Sequence, residues 1–216
     1  MRTPILRLLL APIVLLASCT SEQQPGPASV ESPGDTSTAT GRDAGVLPAV
    51  DDDEVVAAGE AAAVALTREL MGRVSGAMAE GGPASAVDFC SEEALPLTSG
   101  VADELGVRIK RTSSQIRNPR NAPDRDDRAA LAYFEGELEA GNALPDHLIR
   151  QADGDTLYYR PIVVAEFCTA CHGPRETLEP SVREILDSRY PDDQATGYGA
   201  GDFRGLVRVS VPRADR

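Results

Sequence analysis

Histidine is scarce in this sequence, with two residues in 216, and cysteine occurs four times. A structural zinc site needs four ligands, usually from a second cysteine pair or a spaced histidine pair, so we do not expect one. Basic residues are also few, with 21 Lys and Arg against 34 Asp and Glu and a net charge of −13. This balance argues against binding to nucleic acid or to anionic lipid head groups.

Long apolar runs are absent as well, and the apolar stretch at the N-terminus is too short to span a bilayer. Residues 1–18 combine a basic start, an apolar segment and small residues, which is typical of a secretory signal peptide. The sequence Leu16-Ala17-Ser18-Cys19 resembles the lipobox of bacterial lipoproteins. We expect cleavage before Cys19 and acylation of its side chain, with an ordinary signal peptide as the alternative.

The mature chain is expected to consist of a tether and one domain. Residues 19–50 are rich in Ser, Thr, Pro, Gly and Ala and cannot bury enough apolar surface to offset their chain entropy, which predicts a disordered tether. Residues 51–216 suffice for one core and show no repeats. Membrane attachment must then depend on acylation, and the expected location is the periplasmic side of the membrane, as a lipoprotein of the outer membrane.

One motif carries most of the functional information: Cys168-Thr169-Ala170-Cys171-His172. In C-x-x-C-H, two thiols capture haem vinyl groups and the adjacent imidazole ligates the iron. A thioredoxin-type pair needs no histidine, and Gly173-Pro174 ends any helix directly after the motif. Because c-type haem is attached on the exported side of the bacterial membrane, the signal peptide agrees. We expect one covalent haem c, bound through Cys168 and Cys171, with His172 as the proximal iron ligand.

The residues alone leave open the ligand on the opposite side of the iron. Cys90 is an odd thiol in an exported protein, which calls for an explanation, although a buried inert thiol is the alternative. His147 falls in a predicted strand edge. Met71 and Met78 lie on a helix stripe and fit core residues better than ligands. An open coordination position is the remaining alternative.

Hydrophobic periodicity predicts an α+β fold with an antiparallel sheet. A long N-terminal helix is predicted at 51–79 and is expected to end at Gly81-Gly82-Pro83. The next helix is predicted at 84–94, with Cys90 pointing inward. Further helices are predicted at 123–141 and 181–188. Strands are predicted at 107–111, 147–151, 156–163 and 204–211, with the second and third joined by a turn at Asp153-Gly154.

Several other patterns in the sequence do not indicate a catalytic or binding site. The glycine run at 197–201 follows a helix and leads into a strand, which is the wrong context for a nucleotide site, so we expect a loop. The pair Asp126-Asp127 fits a helix start and the pair Asp192-Asp193 a solvated turn. Because no carboxylate pair or distal acid–base group is evident, we do not expect a dedicated enzyme.

Several stretches together resemble a family of haem-binding, PAS-like sensor domains over about residues 55–213. They are Phe89-Cys90, the segment 108–124, Tyr159-Arg160-Pro161-Ile162, the motif at 168–173, the segment 190–198 and Gly201-Asp202-Phe203-Arg204-Gly205. The resemblance implies a PAS-like, five-stranded antiparallel sheet flanked by helices. It also implies a c-type haem ligated by the motif histidine and a helix cysteine, here His172 and Cys90. The chain departs from the family pattern at Asp126-Asp127, where an aromatic–acid pair is expected.

A thiolate opposite an imidazole stabilises ferric iron and lowers the reduction potential relative to a His/Met pair. Reduction favours protonation or loss of the sulfur, which would couple the iron to the position of the Cys90 helix. Arg111, Arg117 and Arg120 are candidate partners of haem propionates, because forked donors suit carboxylates; the alternative is a solvated basic segment.

Three functions follow as hypotheses. The first is a redox- or gas-responsive haem sensor that acts through a signalling partner. The second is a periplasmic electron-transfer cytochrome c with a redox partner, and the third, less favoured, is a haem peroxidase. A homodimer formed through residues 51–80 is left open.

Overall fold

The computed structural model describes residues 52–152 and 155–212. The expected signal peptide, Cys19, the tether and the turn at 153–154 lie outside the described residues. No helix in the described ranges is long and apolar enough to cross a membrane. The helices are α1 (Asp52–Glu92), α2 (Ala94–Leu105), α3 (Arg125–Glu139), α4 (Thr169–His172) and α5 (Pro180–Arg189). The strands are β1 (Arg108–Thr112), β2 (Leu148–Ala152), β3 (Asp155–Val163) and β4 (Phe203–Pro212).

The four strands form one antiparallel sheet in the order β1-β4-β3-β2. The predicted α+β class, the antiparallel sheet and the long N-terminal helix are therefore confirmed. The resemblance implied five strands, whereas the described residues form the four that the periodicity predicted. After β1 the chain contains Pro119 and Pro123, which lack the N–H that a ladder needs, and it forms a loop with a 3₁₀ turn at Pro119–Asn121.

Helices cover both faces of the sheet. Alternate residues of β3 and β4 point to opposite faces, and both sets of side chains are buried under a helix. On one face Tyr158, Val207 and Val209 pack against α1. On the other face Tyr159 and Leu206 pack against α3. The contributions of the helices are Val55, Ala62, Ala63 and Leu66 from α1, and Ala130, Leu131 and Phe134 from α3.

The α3 face also holds a buried carboxylate, Asp127, which is 0% exposed. Its oxygens accept hydrogen bonds from Lys110 Nζ at 2.7 Å, Arg208 Nη1 at 3.0 Å and the Tyr159 hydroxyl at 3.2 Å. A capping box with Asp124 starts the helix at the same place. The predicted helix start is confirmed, and Asp127 in addition ties α3 to the sheet. A buried charge is tolerated here because it is fully paired.

Helix α1 is interrupted at Gly81 and Gly82, where Gly82 has φ 74°. The two expected helical segments are therefore present, on either side of a glycine break that favours residues without a Cβ. The second segment leads into α2, which the periodicity did not predict. Pro96 and Gly100 resemble loop residues, but Pro96 lies in the first turn of α2, where no intrahelical donor is needed. Leu97 and Val101 of α2 pack beside the first half of α1.

The second half of α1 packs against α5 rather than against the sheet. Val87 joins Val182, Leu186 and Tyr190 in a third buried cluster, together with Leu178. Arg189 at the end of α5 pairs with Asp88 at 2.6 Å and with Glu92 at 3.0 Å. Helix α5 therefore fixes the segment of α1 that carries Cys90.

A matched pair of glycines tests how closely α1 approaches the sheet. A Cβ on Gly59 would lie 2.2 Å from the Tyr158 ring, whereas a Cβ on Gly72 of the same helix meets nothing within 4 Å. We expect Gly59→Ala to lower the free energy of unfolding by about 1–3 kcal/mol through overpacking. Gly72→Ala should raise it by about 0.5–1 kcal/mol. Urea titrations compare the two, and equal effects would contradict the close approach.

Candidate functional site

The C-x-x-C-H motif forms a single helical turn that is held at both ends. Glu166–Cys168 is a 3₁₀ turn, α4 follows it directly, and Gly173 ends the helix as its C-cap. The Gly173 N–H donates to the Thr169 carbonyl at 2.8 Å. A Cβ on Gly173 would lie 2.5 Å from that carbonyl oxygen. The stop predicted at Gly173-Pro174 is therefore confirmed.

His172 is fixed by the loop that precedes β4. Its Nδ1 lies 2.7 Å from the Ala195 carbonyl oxygen. Its backbone carbonyl accepts a hydrogen bond from the Tyr198 N–H at 2.9 Å. Because a carbonyl only accepts, Nδ1 carries the proton and Nε2 keeps a free lone pair. Burial lowers the pKa of His172 to about 3, helped by the charges of Arg117 and Arg204.

Cys171 faces the second half of α1. Its Sγ lies 3.7 Å from the Pro83 carbonyl oxygen, and its side chain packs on the cluster that includes Ala84 and Val87. Burial raises the pKa of the Cys171 thiol to about 11. Cys168 precedes it by one turn, and both are free thiols, as is Cys90.

Cys90 lies on the same segment of α1 as the residues that contact Cys171. Burial raises the pKa of the Cys90 thiol, while the charges of Arg111 and Arg117 lower it. The charge of Cys90 acts on Cys171 in turn. The fold therefore brings Cys90 and the motif together, and the prediction that Cys90 faces inward agrees with its half-buried side chain.

The three expected propionate partners differ in their contacts. Arg117 donates through Nε to Asp193 at 3.1 Å, and through Nη2 to the carbonyls of Cys171 at 2.7 Å and Ala195 at 3.1 Å. Arg111 is half-buried, and its buried Nε has no hydrogen-bond partner among the described residues. Burial lowers the pKa of Arg111. Arg120 lies in the exposed 3₁₀ turn.

Sequence reasoning missed part of this site. Asp193 was expected in a solvated turn, but its side chain is 2% exposed and paired with Arg117, so that expectation was wrong. A buried partner 76 residues away in the chain leaves no local pattern. Ala195 acts through its backbone, which no side-chain pattern reveals. The glycine run at 197–201 is a loop as predicted, and Tyr198 from this run contacts the His172 ring edge with 6.5 Å between centroids.

His147 lies apart from the C-x-x-C-H motif and Cys90. Its ring stacks on Tyr158 at 5.5 Å between centroids, and the Tyr158 hydroxyl donates to Glu60 on the first half of α1. Met71 and Met78 are half-buried on that same half of α1. Within the described ranges no group of three or more His, Cys, Asp and Glu side chains could hold a metal ion. A cofactor that brings its own equatorial ligands is not subject to this limit.

The fold and the site define an α+β domain in which the C-x-x-C-H motif lies between the second half of α1 and the loop that precedes β4. The chain matches the model of the Tll0287-like family over residues 24–212 and belongs to that family. Its structure is similar to the crystal structure of the cyanobacterial heme-protein Tll0287, with a TM-score of 0.55 and 22% identity. The alignment covers 77% of this chain and 99% of that one, and at this identity it shows the fold alone. No curated protein shows a significant match.

The end of α4 is tested by a second glycine pair. In Gly173→Ala the new methyl group would press on the Thr169 carbonyl, whereas a Cβ on Gly199 meets only an Asp202 oxygen at an ordinary 3.6 Å. We expect Gly173→Ala to lower the free energy of unfolding by about 1–3 kcal/mol. Gly199→Ala should stay within about 0.5 kcal/mol of wild type. A tolerated alanine at 173 would show that this turn is not held as described.

Proposed function

We propose that this chain binds one haem c, attached covalently at Cys168 and Cys171, with His172 as an iron ligand. The observation that carries the proposal is the state of His172, which is neutral, has Nδ1 bound to the Ala195 carbonyl and keeps Nε2 free. A metal-ligating histidine typically donates its other ring N–H in this way. The similar solved protein Tll0287 is a heme-protein, which supports the same cofactor.

Covalent attachment of a haem to the two thiols needs no oxidant. Each thiol would add across one vinyl group of the haem, so that a carbon–sulfur bond would form and the thiol hydrogen would pass to the neighbouring vinyl carbon. Cys168 and Cys171 are both free thiols, as this addition requires. The one-turn helix places His172 directly after them, which suits binding of the iron by the same segment.

Arg111 supports a bound anion beside this segment. A buried Nε that lacks a hydrogen-bond partner is costly unless an anion completes the contacts of the guanidinium. Haem carries two propionates, and a forked donor suits a carboxylate. Arg111 therefore fits a propionate partner better than Arg117, whose Nε and Nη2 are already bonded to protein oxygens.

Cys90 is proposed as the second iron ligand. Its pKa is raised by burial, so that iron binding must displace the thiol proton. Thiolate ligation would favour ferric iron, and reduction would favour protonation or release of the sulfur. Because Cys90 follows the glycine break of α1, such a release would be felt by that helical segment first. The favoured function is therefore a redox or gas sensor.

A periplasmic electron-transfer cytochrome c is the second candidate function. It is favoured by the backbone hydrogen bonds that fix the end of α4 to its neighbouring loop, from the Gly197 N–H to the Gly173 carbonyl and from the Tyr198 N–H to the His172 carbonyl. A haem peroxidase would need an acid–base group on the Cys90 side. The titratable groups coupled to Cys90 include the cations Arg111 and Arg117, which do not suit that role, and the Tyr190 phenol and Cys171 thiol, whose pKa values are raised above their usual range.

The location and partners are proposed from the sequence. Cys19 would carry the lipid anchor on the periplasmic side of the outer membrane, and residues 19–50 would tether the domain. A redox or signalling protein would be the partner, and a homodimer through 51–80 stays a proposal. Radiolabelled palmitate incorporation that is present in wild type and lost in Cys19→Ala would support the anchor, whereas label retained by the variant would contradict it.

Haem attachment is tested by intact mass after expression with the c-type maturation machinery. Wild type and Cys90→Ser should each gain the mass of one haem, because neither lacks a thioether cysteine. Cys168→Ala/Cys171→Ala should carry no covalent haem, since no vinyl group can be captured. Wild type without haem, or a double variant that retains it, would refute the proposal.

The Cys90 ligand is tested by low-temperature EPR and absorption spectra of ferric and ferrous protein. The ferric wild type should give a low-spin thiolate signal that disappears in Cys90→Ser, and reduction should remove the sulfur signature. Ser91→Ala, next to it on α1, should keep the wild-type spectrum. Identical spectra of wild type and Cys90→Ser would make Cys90 a core thiol and would favour the electron carrier.

A further inference from the structure

The side chain of Arg117 holds the peptide that fixes His172. Its Nη2 donates to the Ala195 carbonyl at 3.1 Å, and its Nε donates to Asp193 Oδ1 at 3.1 Å. The same Asp193 oxygen accepts the Ala195 N–H at 2.9 Å. Ala195 is therefore bound on its carbonyl side by a cation and on its N–H side by an anion.

The Ala195 carbonyl oxygen is shared between two donors. It accepts from His172 Nδ1 at 2.7 Å and from Arg117 Nη2 at 3.1 Å, which uses both of its lone pairs. A cationic donor draws electron density from the oxygen and weakens it as an acceptor for Nδ1–H. Because the bond at Nδ1 raises the basicity of a ligating imidazole, Arg117 moderates how strongly His172 donates to a metal.

The two charges are shielded from solvent. The Arg117 side chain is 11% exposed and that of Asp193 is 2% exposed. Asp193 Oδ2 is buried and has no hydrogen-bond partner in the described part of the chain. In such surroundings a charge acts over a longer distance than at the surface, so the Arg117 cation acts on the His172 ring through the carbonyl that both of them contact.

Building on the proposed function, we propose that Arg117 and Asp193 are positioning residues that set the reduction potential of the iron through the Ala195 carbonyl. The couple is ferric iron plus one electron to ferrous iron, with the proton on His172 Nδ1 retained. Second-shell hydrogen bonding is one of the ways in which a protein adjusts a haem potential.

The two residues have opposite expected effects. Removal of the Arg117 charge strengthens the Nδ1 bond and takes away a nearby cation, and both changes stabilise ferric iron. Neutralisation of Asp193 leaves the Arg117 cation uncompensated, which stabilises ferrous iron. Asp193→Asn preserves the shape of the side chain. Its amide NH₂ replaces one of the two carboxylate oxygens, either the unpartnered Oδ2 or the accepting Oδ1.

Potentiometric titration of the haem-loaded protein tests this inference. We expect Arg117→Gln to shift the ferric-to-ferrous ratio at a fixed solution potential about tenfold toward ferric iron, or 59 mV for a one-electron couple. Asp193→Asn should shift it toward ferrous iron. Arg117→Lys, which keeps the charge but loses the fork, should shift it less than Arg117→Gln.

The control is Arg73→Gln, which removes the same charge from an exposed ion pair on the first half of α1 and should leave the ratio within about twofold. Shifts of one sign in Arg117→Gln and Asp193→Asn, or potentials equal to wild type, would overturn the inference. Haem content and unfolding are measured on the same samples. If Arg117→Gln does not fold, Arg117→Lys and Asp193→Asn still test the inference, because they are expected to shift the ferric-to-ferrous ratio in opposite directions. Failure of wild type to load haem would instead overturn the proposed function.

Discussion

The arrangement around α4 depends on one backbone oxygen, the carbonyl of Ala195. It fixes the ring of His172 and receives Arg117, which also reaches the carbonyl of Cys171. These contacts join the loop after β1, the motif helix and the loop before β4. A backbone acceptor suits this role because its position is set by the chain on both sides, while a side-chain acceptor would have rotamers of its own.

Stability and chemistry occupy different parts of the domain. The buried carboxylate of Asp127 and its partners lie on the α3 face, and the large apolar contacts of the first half of α1 lie on the other. The thiols and His172 lie beyond them, against the second half of α1 and α5. The site can therefore carry buried and unpaired polar groups while the two sheet faces supply the cohesion of the domain.

Much of the fold could be predicted from local patterns, and the misses have physical causes. All four strands and the glycine break of α1 follow from periodicity and turn residues, because those signals act within a few positions. Helix α2 was missed since Pro96 and Gly100 resemble a loop until the first-turn position of the proline is known. Within the site, the motif was visible as a pattern, whereas the contacts of Asp193 and Ala195 arise only when distant segments meet.

The chain separation of the contacts made after the break at Gly81 and Gly82 has a kinetic consequence. The helical segment after it contacts residues about 80 to 100 positions later in the chain, as in the pairs Cys171–Pro83 and Arg189–Asp88. Closure of such long loops is slow compared with helix formation or hairpin pairing. The pairing of β1 with β4 and the contact of Glu60 with Tyr158 span about 100 positions as well, so the sheet, α1 and the surroundings of the motif are expected to assemble together in one slow step.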